Sequence, residues 1–523
     1  MTETMARDIP VPRSYSAAVS DPVYGEDWKA AFKSEIDSFH EHKVWRLVDL
    51  PAGRKPIRTR WVLKVKENED GTVSKFKARL VARGFLQVPG IDFTLTYAPV
   101  ARLTSVRIIF TIAAANKMLI HQMDVSTAFL YAPLQEDVFV IPPDGYCDSV
   151  PQGKAYKLDK AMYGLSQSPR AWNIKLDEFM KKELGMVPTS FDPCIYTRTD
   201  GLIIAIFVDD ALLCHALQTV IDEAKLTLTK HFKMSDLGSV QWYLGMKVER
   251  SRSGITLGQS TYITKILERF GMQDCKPQST PIAQTSLENL HPASEHEQQT
   301  KHPFREVVGA LMYLSICTRP DIAVVVNKLG RLVSQPTDRH WSVAKGVLRY
   351  LQGTKELSLL YRRDEDLTLN VFVDASHADC PRTRRSTSGH LSFLGKSLVD
   401  WAVSLSSVVP HSTAESELYA ADAAARNTVW LRGLLTDLGI TQDGPTVLME
   451  DNEACIKIAE GGGAFGTKKH IAIRFFYVRD LVSDEIIKFK KIATEFQYAD
   501  ALTKCLARPR FLQLRSHLGF HGG

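Results

Sequence analysis

The sequence predicts an α+β chain of several domains, and three observations carry that prediction. The run Leu202-Ile203-Ile204-Ala205-Ile206-Phe207-Val208 is continuously apolar, as in a strand buried on both faces. It ends in two adjacent acids, Asp209 and Asp210, and resumes at once as Ala211-Leu212-Leu213-Cys214, the pattern of a hairpin. In the last third of the chain, strand patterns and helical patterns alternate and several of them carry an acid at one end. A length of 523 residues corresponds to about three domains of ~100–200 residues, and 44% hydrophobic residues can fill sizeable cores.

Residues 1–24 are polar and Pro-containing and are expected to be flexible, without the apolar core of a secretory signal peptide. Positions 28–39 carry an amphipathic helical pattern, and 45–48 followed by Pro51-Ala52-Gly53 reads as strand and turn. Next comes a basic window: Arg54, Lys55, Arg58, Arg60, Lys64, Lys66, Lys75, Lys77, Arg79 and Arg83 are opposed only by Glu67, Glu69 and Asp70. It alternates about the turn Glu69-Asp70-Gly71-Thr72 and so predicts a basic hairpin, either a solvated face or a surface for a phosphate backbone. The formal charge of +6 is too mild to indicate a nucleic-acid partner by itself.

A helix is predicted over 106–115 and a strand over 118–123, which places Asp124 at a strand end as well. The pair Asp209-Asp210 alone reads equally as an exposed turn, since Asp bonds its own backbone there. With Asp124 added, three carboxylates from neighbouring strands would repel one another unless a divalent cation neutralised them. Mg²⁺ suits this role, being hard, oxygen-liganded and commonly shared with substrate phosphates. Two such ions roughly 4 Å apart stabilise both oxygens of an in-line phosphoryl displacement, so the pattern suggests nucleotidyl transfer.

Beyond this, 155–185 holds a strand, the turn at Tyr163-Gly164-Leu165 and a helix starting at Pro169, and a helix follows at 219–231. Residues 276–303 form a polar, Pro- and Ser-containing linker, and 304–316, 320–333 and 338–352 are three helical patterns. The eight cysteines form no Cys-x-x-Cys pair, which argues against structural zinc and a disulfide framework and fits an intracellular setting. No run reaches the ~18–20 apolar residues of a membrane span, so no membrane partner is expected.

Several motifs carry a family resemblance. The stretch His121-Gln122-Met123-Asp124-Val125-Ser126-Thr127-Ala128-Phe129-Leu130, the segment Met162-Tyr163-Gly164-Leu165-Ser166-Gln167-Ser168-Pro169-Arg170-Ala171-Trp172, and Phe207-Val208-Asp209-Asp210 resemble polymerase motifs A, B and C of a reverse transcriptase. Their wording is similar to that of copia-type LTR retrotransposon Pol polyproteins. Further matches are Lys77-Ala78-Arg79-Leu80-Val81-Ala82-Arg83-Gly84-Phe85, Tyr97-Ala98-Pro99-Val100 and Trp242-Tyr243-Leu244-Gly245-Met246. They follow the family's order over nearly the whole chain. The resemblance implies a right-hand polymerase of fingers, palm and thumb with a ferredoxin-like palm, its fingers and palm in 25–275, a linker in 276–303 and a helical thumb or connection in 304–355. It implies that Asp124, Asp209 and Asp210 hold the metal. Lys64 and Arg79 would contact the triphosphate, and Gln167 and Arg170 would lie against the templating base and nascent pair. Phe129 would exclude a 2′-hydroxyl, though a plain core Phe is the simpler reading of its periodicity. Leu244, Gly245 and Met246 would hold the primer end.

The last third carries its own acids. A strand at 367–373 ends at Asp374, the helix 413–435 bears Glu415 and Glu417, a strand at 446–449 leads to Asp451, and Asp500 opens a short helical segment at 501–506. Singly, these are strand-end caps, a helix N-cap and solvated helix acids. In this order they resemble a ribonuclease H-like α/β domain with a mixed five-stranded sheet, over 356–523. Asp374, Glu417, Asp451 and Asp500 are then the expected ligands of a second pair of ions. Glu415 and Glu417 cannot share a helix face, and Glu417 is chosen with Glu415 in reserve. The chain departs from the copia pattern where Asp374-Ala375-Ser376-His377 replaces Asp-Ala-Asp-Trp, and where Ala472 and Phe476 follow Lys469-His470-Ile471 in place of Asp and His.

The resemblance thus implies an RNA-directed DNA polymerase with ribonuclease H activity, using Mg²⁺ with Mn²⁺ as a substitute. Its partners would be an RNA template, DNA primer and product, their hybrid, dNTPs, and other retrotransposon polyprotein products such as integrase and Gag. The expected location is intracellular, in cytoplasmic virus-like particles and the nucleus. Gag, protease and integrase signatures are not found, so a processed product or a truncated copy is expected. The competing expectation is a catalytically silent relic that binds nucleic acid without turnover.

Overall fold

The computed structural model describes residues 5–6, 9–67, 71–146, 150–294, 296–363, 366–461 and 469–522. The predicted turn residues Glu69 and Asp70 lie outside the described residues, as does the side chain of His470. At the centre is a six-stranded antiparallel sheet in the order Met234–Ser239, Leu119–Val125, Asp210–His215, Ile203–Phe207, Ile195–Thr197, Val187–Pro188. Its two faces are filled by the alternation of the strands. Ile204, Ile206, Ala211 and Leu213 pack on Trp172, Leu176 and Phe179 of the helix Ser168–Lys182 and on Leu228 of Gln218–His231. Ile203, Ala205, Leu212 and Cys214 pack on the helix Leu103–Ala115, whose side chains are buried nearly all round. Cover on both faces explains why the run before Asp209 carries no polar alternation.

The basic window forms the long hairpin of Ile57–Glu67 and Val73–Ala82, part of a sheet ordered Trp45–Asp49, Lys154–Lys160, Pro133–Ile141, Ile57–Glu67, Val73–Ala82. The helix Gly25–Glu41 lies across it, burying Trp28, Phe32 and Phe39. Buried Glu35 of this helix accepts the Leu80 amide at 3.0 Å. Of the N-terminal segment expected to be flexible, some described residues pack against this helix. Tyr15 meets Phe32 at a 50° tilt with ring centroids 4.8 Å apart, Ala18 is fully buried, and Asp21 accepts the Val23 and Tyr24 amides.

Helices Phe304–Cys317, Ala323–Gly330 and Asp338–Gly353 share one apolar core with Ser260–Arg269. The segment predicted as a linker is strapped onto them. Arg349 donates to the Lys276 carbonyl, Arg339 to those of Glu288 and Pro292, and Leu287 and Leu290 pack on the core. Its polar sequence hid this because the bonds are made by arginines distant in the chain. Beneath these helices Arg319 and Asp321 form a fully buried ion pair at 2.8 Å, joined by the Tyr350 hydroxyl and Thr354. Asp321→Ala leaves a buried guanidinium unpaired and is expected to cost about 3–5 kcal/mol, read as a lowered urea midpoint.

The last sheet is five-stranded and mixed, in the order Ser397–Leu405, Thr387–Leu394, Leu369–Ser376, Thr446–Glu450, Ile487–Lys491, with the last two joins parallel. The helix Thr413–Asp437 packs across it. This is a ribonuclease H-like sheet following a right-hand polymerase fold. The strand Ser358–Arg362, expected within this C-terminal region, instead pairs with Gly254–Gly258 and with Phe520–His521, knitting the two halves together. Buried Arg107 tightens the same junction, with its guanidinium 3.9 Å from the Trp401 ring and bonds to the carbonyls of Ile316, Cys317 and Val399. Among the described residues no helix is long and apolar enough to cross a membrane.

Candidate active sites

Strand register brings the first three acids together. Asp210 stands directly opposite Asp124 across the antiparallel pair, and Asp209 sits in the turn beside them, its carbonyl accepting the Val125 amide at 2.9 Å. The turn is strained: Val208 has φ of 60°, a left-handed conformation costly for a β-branched residue. Trp172 holds it there by donating its indole N–H to the Val208 carbonyl at 2.7 Å. Burial raises the Asp124 carboxyl above its ordinary range, and the charge of Asp209 raises it further. Asp210 is raised in the same way by burial, against a bond from Gln122 Nε2 at 3.2 Å that favours its charged form.

The acids open onto a cavity of ≈ 340 Å³ whose other walls are Lys66, Lys75, Lys77 and Arg79 of the basic hairpin, Glu35 and Tyr163. Lys77 is held below the usual lysine range, first by burial and then by Arg79 and Lys66. Arg79 lies over the Tyr163 ring at 4.9 Å, and its buried Nε has no partner. Of the two cations predicted for this role, Arg79 lines the cavity. Lys64 is exposed on the strand position facing Lys77 and does not line it. Lys66 and Lys77 of the basic window line it instead, on the face that period-two alternation gives them with Lys64 and Arg79.

Phe129 is half-buried and meets Tyr163 edge-on, with ring centroids 4.9 Å apart. Gln167, expected beside the templating base, is buried. Its amide donates to the Asp92 carbonyl at 2.8 Å and accepts from Gln87 at 3.0 Å, so it fastens the neighbouring loop. Arg170 is half-buried and donates to the Tyr97 carbonyl at 3.2 Å. Leu244 and Gly245, with φ of 49° and 75°, form the tight turn between Trp242–Tyr243 and Met246–Arg250. The Tyr313 hydroxyl donates to the Leu244 carbonyl at 2.7 Å and leaves no room for a Cβ on Gly245, while Met246 is buried in the core.

The second acid set divides. Asp374, Glu417 and Asp451 each offer an oxygen within 4.8 Å of the others, the arrangement a divalent cation requires. Burial pushes Glu417 up strongly, and the charges of Glu450, Asp374 and Asp451 add to it. Its Oε2 is buried without a partner, and its donor type fits a metal ligand. Asp374 is raised by burial as well. Glu415, the reserve candidate, accepts the His411 amide at 2.7 Å at the helix start and takes no part. Asp500 does not join the three: Lys504 and Arg510 occupy its two oxygens at 2.6 and 2.9 Å. Glu450, fully buried with one free oxygen and a raised pKa caused by burial, is a further acid that sequence reasoning missed. Asp124, Asp209 and Asp210 are not drawn within such mutual reach, but their donor type and the cationic wall opposite fit a metal shared with a polyphosphate.

Comparison with known proteins agrees with this architecture. The family described as "Reverse transcriptase (RNA-dependent DNA polymerase)" matches residues 42–284. The chain is 35% identical over 520 residues to the retrovirus-related Pol polyprotein from transposon TNT 1-94 of Nicotiana tabacum, covering 98% of this chain and 39% of that protein. It is 34% identical over 304 residues to a transposon Ty5-1 protein of Saccharomyces cerevisiae, covering 57% of this chain and 98% of that one. The foamy viral protease-reverse transcriptase, solved in complex with RNA/DNA hybrid, shares the fold with a TM-score of 0.50 at 14% identity, over 89% of this chain and 54% of that one. The chain therefore spans under half the length of the TNT 1-94 polyprotein. Motifs, register and relatives together establish that the chain belongs to the copia-type retrotransposon Pol polyproteins, within the part that holds the reverse transcriptase.

Proposed function

We propose that this chain is an RNA-directed DNA polymerase whose C-terminal domain hydrolyses the RNA of the resulting hybrid. The observation that carries the reading is the pairing of Asp124 with Asp210, with Asp209 in the adjoining turn, across a cavity from Lys66, Lys77 and Arg79. Mg²⁺, or Mn²⁺ in its place, would supply charge neutralisation and activation of the attacking hydroxyl. Asp124, Asp209 and Asp210 would hold that metal, and the hairpin cations facing them neutralise the triphosphate. Leu244 and Gly245 offer a rigid turn to the primer backbone, anchored by Met246 in the core, and Arg170 beside the loop at Tyr97 borders the nascent pair. Downstream, Asp374, Glu417 and Asp451 would hold an ion that supplies activation of water for phosphodiester hydrolysis, in a hybrid bound through backbone and 2′-hydroxyl contacts. Template RNA, DNA primer, dNTPs and the sister products integrase and Gag are the partners this implies, in an intracellular setting of particles and nucleus.

Primer extension on an RNA template with Mg²⁺, run beside Asp209→Asn, tests the reading. Equal signal from both proteins, or none from either, would sink it; cleavage of hybrid without extension would leave only the downstream activity. Phe129→Ala is expected to weaken discrimination against ribonucleotides by about 10- to 100-fold, as pocket sterics allow. The ratio of kcat/KM for dNTP and rNTP measures it, and an unchanged ratio assigns Phe129 to packing against Tyr163.

A further inference from the structure

The C-terminal centre already contains a cation. Lys504 lies four residues beyond Asp500, one helical turn away, and its Nζ is 2.6 Å from Asp500 Oδ1 and 3.1 Å from Asp374 Oδ1. The second oxygen of Asp374 accepts the Thr503 hydroxyl, and the second oxygen of Asp500 accepts from Arg510. Asp374 and Asp500 are both nearly fully buried. Asp374 therefore faces two sides: the gap it shares with Glu417 and Asp451, where Glu417 Oε2 has no partner, and the ammonium it shares with Asp500. A divalent ion between Asp374 and Asp500 would have to coincide with Lys504 Nζ, and two cations at that separation repel strongly in a buried site.

We propose that Lys504 takes the place of a second divalent ion, so that this centre binds a single metal on Asp374, Glu417 and Asp451. The proposal rests on the metal reading of those three acids. In it, a phosphodiester entering the centre meets one metal ion and one ammonium. Lys504 also borders a cavity of ≈ 500 Å³ whose walls include Lys328, Arg331 and Arg382, together with Asp379, which pairs with Lys328.

Metal counting decides it. The full-length chain carrying Asp124→Asn, Asp209→Asn and Asp210→Asn, which removes the upstream carboxylates, is titrated with Mn²⁺ by calorimetry and by electron paramagnetic resonance. One bound ion is expected. Adding Lys504→Met is expected to raise the count to two and to change the Mg²⁺ dependence of hybrid cleavage from first to second order. Adding Asp500→Asn on top returns the count to one, a result that a merely structural Lys504–Asp500 pair does not produce. Two ions with Lys504 intact overturn the proposal and leave the three-acid reading standing; so does one ion in a folded Lys504→Met protein. No ion at all overturns the three-acid reading and the proposal with it. If Lys504→Met does not fold, the count with Lys504 intact and with Lys504→Arg still decides, since both must hold one ion.

Discussion

Asp209→Asn is expected to lower the single-turnover rate of RNA-templated primer extension by at least about 10³-fold, the scale of losing a principal electrostatic group at the reacting centre. Asn keeps the shape of Asp and its ability to bond the backbone, so the turn should survive. Its geometry is fixed by groups the change does not touch: the Val125 amide on the Asp209 carbonyl and the Trp172 indole on the Val208 carbonyl. What disappears is the charge that raises Asp124 and that, with Asp124 and Asp210, would hold a metal. Cleavage of a preformed hybrid, which depends on acids in a different sheet, should be unaffected. Parallel time courses of extension and cleavage with labelled primer and labelled RNA separate the two. Extension at the parental rate would mean that Asp209 is only the turn residue it resembles when read alone.

The sequence made this hairpin legible because a doubly covered strand writes its burial as an uninterrupted apolar run. It did not reveal that Asp210 faces Asp124, since that register joins positions far apart in the chain. Alternation likewise placed Lys64, Lys66, Lys77 and Arg79 on one face, but only the docking of the helix Gly25–Glu41 and the central sheet decides which end of the hairpin overhangs the acids. Gln167 fits a substrate contact in sequence, yet the loop at Gln87 and Asp92 claims its amide in the fold. Asp500 shows the same limit. Its position in the motif order is that of a metal ligand; the fold adds Lys504, one turn later, and Arg510 as partners of its two oxygens. Local patterns report which face a residue occupies. They are silent on which distant side chain meets it there.

Asp451→Asn is the second large expected effect: loss of hybrid cleavage by at least about 10³-fold, with extension retained, and a gain of stability in the absence of metal. The gain follows from the direction of the carboxyl shifts. Glu417, Glu450 and Asp374 are all raised by burial, and Asp451 is among the charges that raise Glu417 and Glu450 further. A raised acid binds its proton more tightly in the folded state than in the unfolded one. Its stabilising contribution is therefore full below the ordinary carboxylate range and is lost as pH rises through the folded-state values above it. For the metal-free chain this predicts a melting temperature that falls as pH is raised from acid through neutrality, and a Mg²⁺-induced rise that grows over the same interval, because metal needs the deprotonated ligands. Asp451→Asn removes one of the mutually repelling charges. It should make the metal-free decline shallower, be about 1–2 kcal/mol more stable than the parent near neutral pH, and lose most of the Mg²⁺-induced rise. Comparing parent and variant in chelator across pH cancels the titration of the shared groups that Asp451 does not act on, and leaves the change at Glu417 and Glu450. A steeper decline in the variant would mean that Asp451 is paired with a cation in the folded protein and is not part of an unneutralised carboxylate cluster.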